Sequence, residues 1–294
     1  MVRTMSRIRH LLRRKKSNRS LTGNLFVIFL LLAFAALMVV PLVYAVASAF
    51  KPFEEIFIFP PKLYVINPTW ENFQDLFRIF ADSTVPFIRY VFNSVVVSVA
   101  CTLMHIFFAS MAAYPLAKIE FRGKRVLMEL VMLALLFVPQ VTFLPQYIIM
   151  ARLGWINTYQ AVIFPFVGTS MGLFLMKQFM EVMPMSLIEA ARIDGASEFG
   201  ICFRIIMPNV KPAWLTLAIF TFQSAWNTTG GSFIYDEELK MLPTAISQLV
   251  ASNTIARMGV GMASTVFLMI PPILFFILSQ SRIIQTMAHA GIKE

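Results

Sequence analysis

The sequence describes an all-α polytopic membrane protein with six transmembrane helices and both termini in the cytoplasm. Three observations lead there. The chain is 58% hydrophobic yet only 14% charged, whereas soluble domains carry about 25% charged residues. Apolar runs of membrane-crossing length recur along it. Lys and Arg gather on one side of those runs. The first observation sets aside a soluble enzyme. The net charge of +10 suggests nucleic acid until its placement is considered. Residues 1–22 hold Arg3, Arg7, Arg9, Arg13, Arg14, Lys15, Lys16 and Arg19 with no acid, which is +8 of the total. No aromatic side chains are interleaved as an RNA-binding tail would need. A basic cluster just ahead of an apolar run is instead a cytoplasmic anchor that attracts anionic lipid.

A span needs about 20 mostly apolar residues. Six candidates follow in order, at about 25–48, 90–114, 126–147, 158–178, 212–228 and 259–280. The first is longer than the apolar core of a cleaved signal peptide, so it is expected to stay. Pro41, Pro139, Pro145, Pro165, Pro271 and Pro272 lie inside these runs. Proline is tolerated in a membrane helix where neighbours or a polar cavity take up the freed carbonyls. The loop "AKIEFRGKR" after the second span carries Lys118, Arg122, Lys124 and Arg125 against Glu120, while 229–258 carries Asp236, Glu237 and Glu238 against Lys240 and Arg257. Positive charge stays inside, so 1–22 is a basic cytoplasmic segment, 23–294 is the membrane domain, and 184–212 is a cytoplasmic loop within it. Loops 49–89 and 229–258 face outward. Cys101 falls in a span and Cys202 in a cytoplasmic loop, a placement that implies no disulfide framework.

Ionisable side chains within the spans are scarce. His105 is the clear case, and Glu129 lies near a span end. An ion-coupled carrier is expected to hold a carboxylate near the midplane. Uncharged polar groups are present instead, among them Asn93, Gln140, Gln146, Gln223, Ser224 and Asn227. Amides donate and accept, so they suit sugar hydroxyls, and they also join helices to one another. Trp226 is placed either to stack on a sugar ring or to anchor at the interface. The candidate substrate pathway is therefore Gln140, Gln146, Gln223, Trp226 and Asn227. Gly123–Lys124 lacks the upstream glycine of a phosphate loop, and HExxH does not occur. Driven transport would need energy from another chain.

The segment "SLIEAARIDGASEFGICFRIIMPNVKP", Ser186 to Pro212, breaks the apolar pattern. Ser186 and Glu189 have capping-box spacing. Asp194–Gly195 supplies turn chemistry in which Gly takes positive φ. A second helix is expected over about Ala196–Met207, broken by Pro208 and Pro212. Small residues at the bend, Ala190, Ala191, Gly195 and Ala196, let another backbone approach. Either this helix pair docks on a cytosolic partner or it lies on the lipid.

"EAARIDGASEFGICFRIIMP" resembles the EAA loop of ABC importer permeases, EAA then three residues, Gly, nine residues and I-x-L-P. Glu189, Ala190, Ala191, Gly195, Ile205 and Pro208 fill those places, and Met207 stands where Leu is usual. "KPFEEIF", "NPTWENF", "RYVFNSVVVS", "AYPLAKIEFRGK" and "LGWINTYQAVIFP" extend the resemblance over about 25–294, toward the maltose-type second permease of carbohydrate uptake. The resemblance implies a type I ABC importer permease fold in a bacterial or archaeal cytoplasmic membrane. It implies a heterodimer with a second homologous permease, two ATP-binding subunits and an extracytoplasmic solute-binding protein. ATP and Mg²⁺ would sit on the ATPases, with no cofactor on this chain. Glu189, Ala190, Ala191, Asp194, Gly195, Ile205 and Pro208 are the implied ATPase-coupling residues, with Glu189 making a polar contact. Thr228 replaces the acid that often follows Trp-Asn in the family, and the tail "HAGIKE" ends in Glu294. The carbohydrate, an oligosaccharide by this resemblance, is the substrate expected. An ABC permease for a non-sugar solute, a stand-alone secondary carrier and a docking scaffold are the alternative readings.

Overall fold

The computed structural model describes residues 21–81, 83–251 and 258–290, the last ten by backbone only. The basic segment 1–22 therefore lies almost wholly outside the described residues, as do 252–257 of the outer loop and the end of the C-terminal tail. Every regular element among the described residues is helical.

The outermost helix is α1 (Leu21–Ala49), which continues through Pro41. Its most apolar stretch has a mean hydropathy of 3.0, and 0% of it is buried within the chain. A face so apolar requires lipid or protein around it. The loop that follows is built rather than loose. It carries the short α2 (Phe53–Ile56) and α3 (Glu71–Ala81). Asn72, the second residue of α3, donates to the carbonyls of Ala49 (2.9 Å) and Lys51 (2.7 Å) and so satisfies the end of α1.

The hub is α4 (Phe87–Lys118), 32 residues long. Ser94, Val97, Ser98, Cys101, Thr102, His105, Ala109, Ser110 and Ala113 make its buried side. They recur every three or four residues, which is one face of a helix. Between apolar helices in lipid, close approach of small side chains replaces the hydrophobic drive. Thr102 donates to the Ser98 carbonyl (2.7 Å) and Ser110 to that of Ile106 within the helix, the Ser94 hydroxyl accepts from the Leu242 N–H (2.8 Å), and the buried Ser98 hydroxyl has no partner among the described residues. Packed on this face are α7 (Tyr159–Val167), α8 (Ser170–Glu181) and α11 (Lys211–Trp226).

Among the described residues, four helices can cross a membrane by length and composition, or up to six if each of two bent pairs is one span. The expected third span, 126–147, with Pro139 and Pro145 inside it, is divided into α5 (Lys124–Leu135) and α6 (Pro139–Arg152), bent by 110°. Proline disfavours helical geometry in the residue before it, and Val138 is extended at φ −78°, ψ 136°. The short fifth span is α11, preceded at an 85° bend by α10 (Glu198–Asn209). The fourth comprises α7 and α8, interrupted at Gly168–Thr169. α9 (Met185–Ile193) precedes α10. α12 (Leu242–Ala251), inside a segment read from sequence as loop, precedes α13 (Met258–Ala290), which runs through Pro271 and Pro272.

His105 sits at the centre of this packing. One ring nitrogen meets the Thr221 hydroxyl of α11 and the other meets that of Thr169, both at 2.8 Å. The ring lies against Gly172, where a Cβ would come within 2.1 Å of Nε2. The histidine is thus a three-helix junction with both nitrogens engaged. Gly172→Ala is expected to displace the ring and cost about 1–3 kcal/mol, read as a lowered Tm of the detergent-solubilised protein; an unchanged Tm would refute the junction.

Candidate functional site

Two regions carry the residues singled out from sequence. The first is the bend between α9 and α10. α9 does not start as expected. Its N-cap is Pro184, at φ −61°, ψ 136°, so Ser186 lies inside the first turn and makes no cap. Proline's fixed φ is already suited to a helix start. The side chain that does cap is Ser197, which accepts from the Gly200 N–H at 3.2 Å and opens α10. Between them Gly195 adopts φ +78°. Its N–H donates to Arg192 (3.0 Å) and that of Ala196 to Ala191 (3.0 Å). This pair of bonds closes a helix end around a left-handed glycine.

Pro208 does not break α10 as expected. Residues Ile201–Ile206 form a π turn just ahead of it, which widens the helix where the proline ring would meet the carbonyl four residues back. The open carbonyls beyond are taken by the Asn209 amide, on Ile205 (2.7 Å), and by the Trp214 indole, on Met207 (3.1 Å).

The bend is mounted firmly. Ile188, Ala191, Ile201, Cys202 and Ile206 are buried with Ala109, Ala113 and Tyr114 of α4 and Met176 and Met180 of α8. Arg192 donates to Glu198 at 2.8 Å, tying α9 to α10, and the Tyr114 hydroxyl donates to the other carboxylate oxygen, tying both to α4. The Arg192 guanidinium first, then the Tyr114 hydroxyl, hold the Glu198 carboxyl below its ordinary range. The predicted coupling residues divide. Glu189, Ala190, Asp194, Gly195 and Pro208 are on the exposed side, Ala191 is in the core, and Ile205 is half-buried against it. Ile193 and Phe199 join the exposed side, at 86% and 58% exposure. Sequence reasoning missed them because an apolar residue near lipid spans is read as lipid-facing.

The second region is a cavity of ≈ 730 Å³ where three chain interruptions meet. They are the α5–α6 bend, the Gly168–Thr169 break and the turn after α11. Irregular backbone at membrane depth is tolerated where it lines a cavity, and transporters build their sites at such broken helices. Gln146 lines it with Thr142, Ser170, Thr228 and Thr229 among polar residues and Phe137, Phe143 and Phe233 among aromatic ones. Phe233 is held by Asn157, which adopts φ +63°. The Asn157 N–H donates to the Phe233 carbonyl (2.7 Å), and its side-chain oxygen accepts from Tyr235 (3.3 Å) and Asp236 (3.0 Å). Asn93 donates to the Glu238 and Lys240 carbonyls, both at 2.8 Å, and accepts from the Tyr159 hydroxyl at 2.7 Å. That amide is helix-to-loop glue.

Of the expected pathway residues the cavity brings in Gln146 alone. Gln140, Gln223 and Asn227 are exposed elsewhere on the surface. Trp226 is a correction: it is 1% exposed, donates from its indole to the Leu268 carbonyl (3.0 Å) and stacks on Phe222. Its indole joins α11 to α13 and is not presented to a sugar ring.

Residues 105–289 match the family of binding-protein-dependent transport system inner membrane components. The chain is 30% identical to the arabinooligosaccharides transport system permease protein AraQ of Bacillus subtilis (strain 168), over 78% of this chain and 81% of that protein. It is also 30% identical to the trehalose/maltose transport system permease protein MalG of Thermococcus litoralis, over 76% and 81%. The fold is that of a chain in a bacterial ABC transporter involved in import of the acidic polysaccharide alginate, with a TM-score of 0.76 at 21% identity over 90% and 99% of the two chains.

A carboxylate held below its unfolded value adds stability that is full above the ordinary carboxylate range, near pH 4.3, and is lost as pH falls through the lowered value. Amide protection across 185–209 is therefore expected to drop on acidification below that range, and Glu198→Gln is expected to flatten the step. Hydrogen-exchange protection factors against pH provide the measurement.

Proposed function

The chain belongs to the binding-protein-dependent transport system inner membrane components, and on that premise we propose that it is the permease subunit of an ATP-driven importer for a carbohydrate. It pairs with a second homologous permease in a cytoplasmic membrane. The face bearing Glu189, Ala190, Asp194 and Gly195 docks in clefts on cytosolic ATP-binding subunits, which hold the ATP and Mg²⁺. A solute-binding protein presents the sugar from outside. The observation that carries this reading is the mounting of that face. Its exposed side offers small and charged residues to a partner, while its buried side is locked to α4 and α8.

The chain's own residues supply the mechanical steps. Gly195 permits the sharp bend, so α9 and α10 enter a cleft as one wedge. Glu198, bridging Arg192 and Tyr114, passes displacement of that wedge to α4. α4 carries α7, α8 and α11 on one face, so its movement reaches the interrupted segments around the cavity. Gln146 and the neighbouring hydroxyls then meet the sugar. The stand-alone carrier is disfavoured because His105, the ionisable group at the bundle centre, is committed to two threonines.

Pull-down of the tagged chain from its host in mild detergent is expected to bring a second permease and a P-loop ATPase in stoichiometric amounts. Recovery alone, with transport indifferent to ATP depletion, would overturn the reading. Gly195→Glu is expected to abolish uptake while the protein still inserts. A Cβ there meets nothing of this chain within 4 Å beyond its two neighbours, so the site is open toward a partner, although the positive φ adds about 1 kcal/mol of strain. Uptake at the normal rate in that variant, measured with labelled sugar, would remove the coupling role.

A further inference from the structure

The cavity wall also carries information about the charge of what passes it. Its polar groups are one amide, Gln146, and a set of hydroxyls that includes Ser170, Thr228 and Thr229; its rings include Phe137 and Phe143. No residue lining it is ionisable. Of the charged groups around it, Glu129 is paired with Arg125 (2.9 Å) and Lys177 with Glu181 (2.6 Å), while Arg152 is exposed at the end of α6 and does not line the cavity. Asp236 caps the turn at Glu238 (3.3 Å), Glu237 is paired with Lys240, and Arg89 donates to the Glu238 carbonyl (3.3 Å). The Gln146 amide makes no hydrogen bond to a described residue and is half-buried in the wall.

Such a wall treats a neutral sugar and an anionic one very differently. Hydroxyls and amides each donate and accept, so they match sugar hydroxyls in either orientation. The ring faces carry the negative end of an aromatic quadrupole. They attract the C–H face of a pyranose or furanose and repel a carboxylate or phosphate. An anion entering here gives up hydration in a low-dielectric site and meets no cation from this chain.

We infer that this wall selects a neutral saccharide and discriminates against uronate-bearing or phosphorylated ones, with Gln146 as the residue that sets charge preference. The inference rests on the importer reading above and concerns the same pathway. Gln146→Arg places a cation in the wall, and Thr228→Lys does so from a different element should the first variant fail to insert.

The test uses the complete importer, with its partner permease, ATPases and unaltered solute-binding protein, in proteoliposomes. The probes are a neutral trisaccharide and a trigalacturonate of equal length. ATP-dependent uptake of the neutral sugar is expected to exceed that of the acidic one by about tenfold or more, roughly 1.4 kcal/mol in the rate-determining barrier. The ratio of acidic to neutral uptake is expected to rise about tenfold in Gln146→Arg. Because the solute-binding protein is unchanged, that movement is assigned to the wall. Equal ATP-driven uptake of both sugars by the unmutated importer, or a ratio unmoved in both variants, would overturn the inference and leave the importer reading intact. Failure of any saccharide to enter with ATP would instead overturn the importer reading itself.

Discussion

The architecture depends on how closely other helices can approach one face of α4. Lipid tails are as apolar as leucine, so burying leucine between two spans gains little. What remains is tight packing and the satisfaction of polar groups. The face running from Ser94 to Ala113 supplies both, with serine, alanine, cysteine and threonine at helical spacing and one histidine at its centre. α7, α8 and α11 come in against it. The outer face of the chain obeys the opposite rule. α1 and α5 turn large apolar side chains outward along most of their length, which is suitable only where lipid or a neighbouring subunit covers them.

That arrangement places the two candidate regions at different levels of one support. The α9–α10 bend is anchored near the C-terminal end of α4 through Ala109, Ala113 and Tyr114. Toward the other end of α4, the turn at 237–242 hangs on Arg89, Tyr90, Asn93 and Ser94. Between them lies His105, linking α4 to the break in the fourth span and to α11. A rigid helix with attachments at both ends and a polar junction midway is suited to carry a displacement across a membrane, since packed helices shift as units rather than deform.

Much of this was legible in the sequence where a residue has one strong local preference. Asp194–Gly195 predicted a bend because glycine alone takes positive φ without strain, and the bend is there. Pro139 marked an interruption, but proline sets only the local dihedrals. The 110° angle comes from packing that no local pattern records. Ser186 and Ser197 both offered caps, and Pro184 displaced the first by starting the helix two residues early. The π turn ahead of Pro208 has no sequence signature, since the same residues would read as an α-helix. For Trp226 the ambiguity is intrinsic. Roughly half a turn of rotation about the helix axis decides between core and pathway, and in a span apolar on all sides periodicity does not reveal which face is inside. The gathering of three interruptions around one cavity is a tertiary fact, spread over residues 134–233, and single-segment reading has no access to it.

The contact between His105 and Gly172 has a consequence for how such a chain changes over generations. With 2.1 Å between the imidazole and the position a β-carbon would take, the two sites form one shared volume. A lineage reaching alanine at 172 has a passable route only after position 105 has shrunk. The reverse order passes through an overpacked intermediate, because neighbouring core substitutions do not combine independently. The favoured order of the two changes is thereby set by geometry, and relatives with a larger residue at 172 should also carry a smaller one at 105.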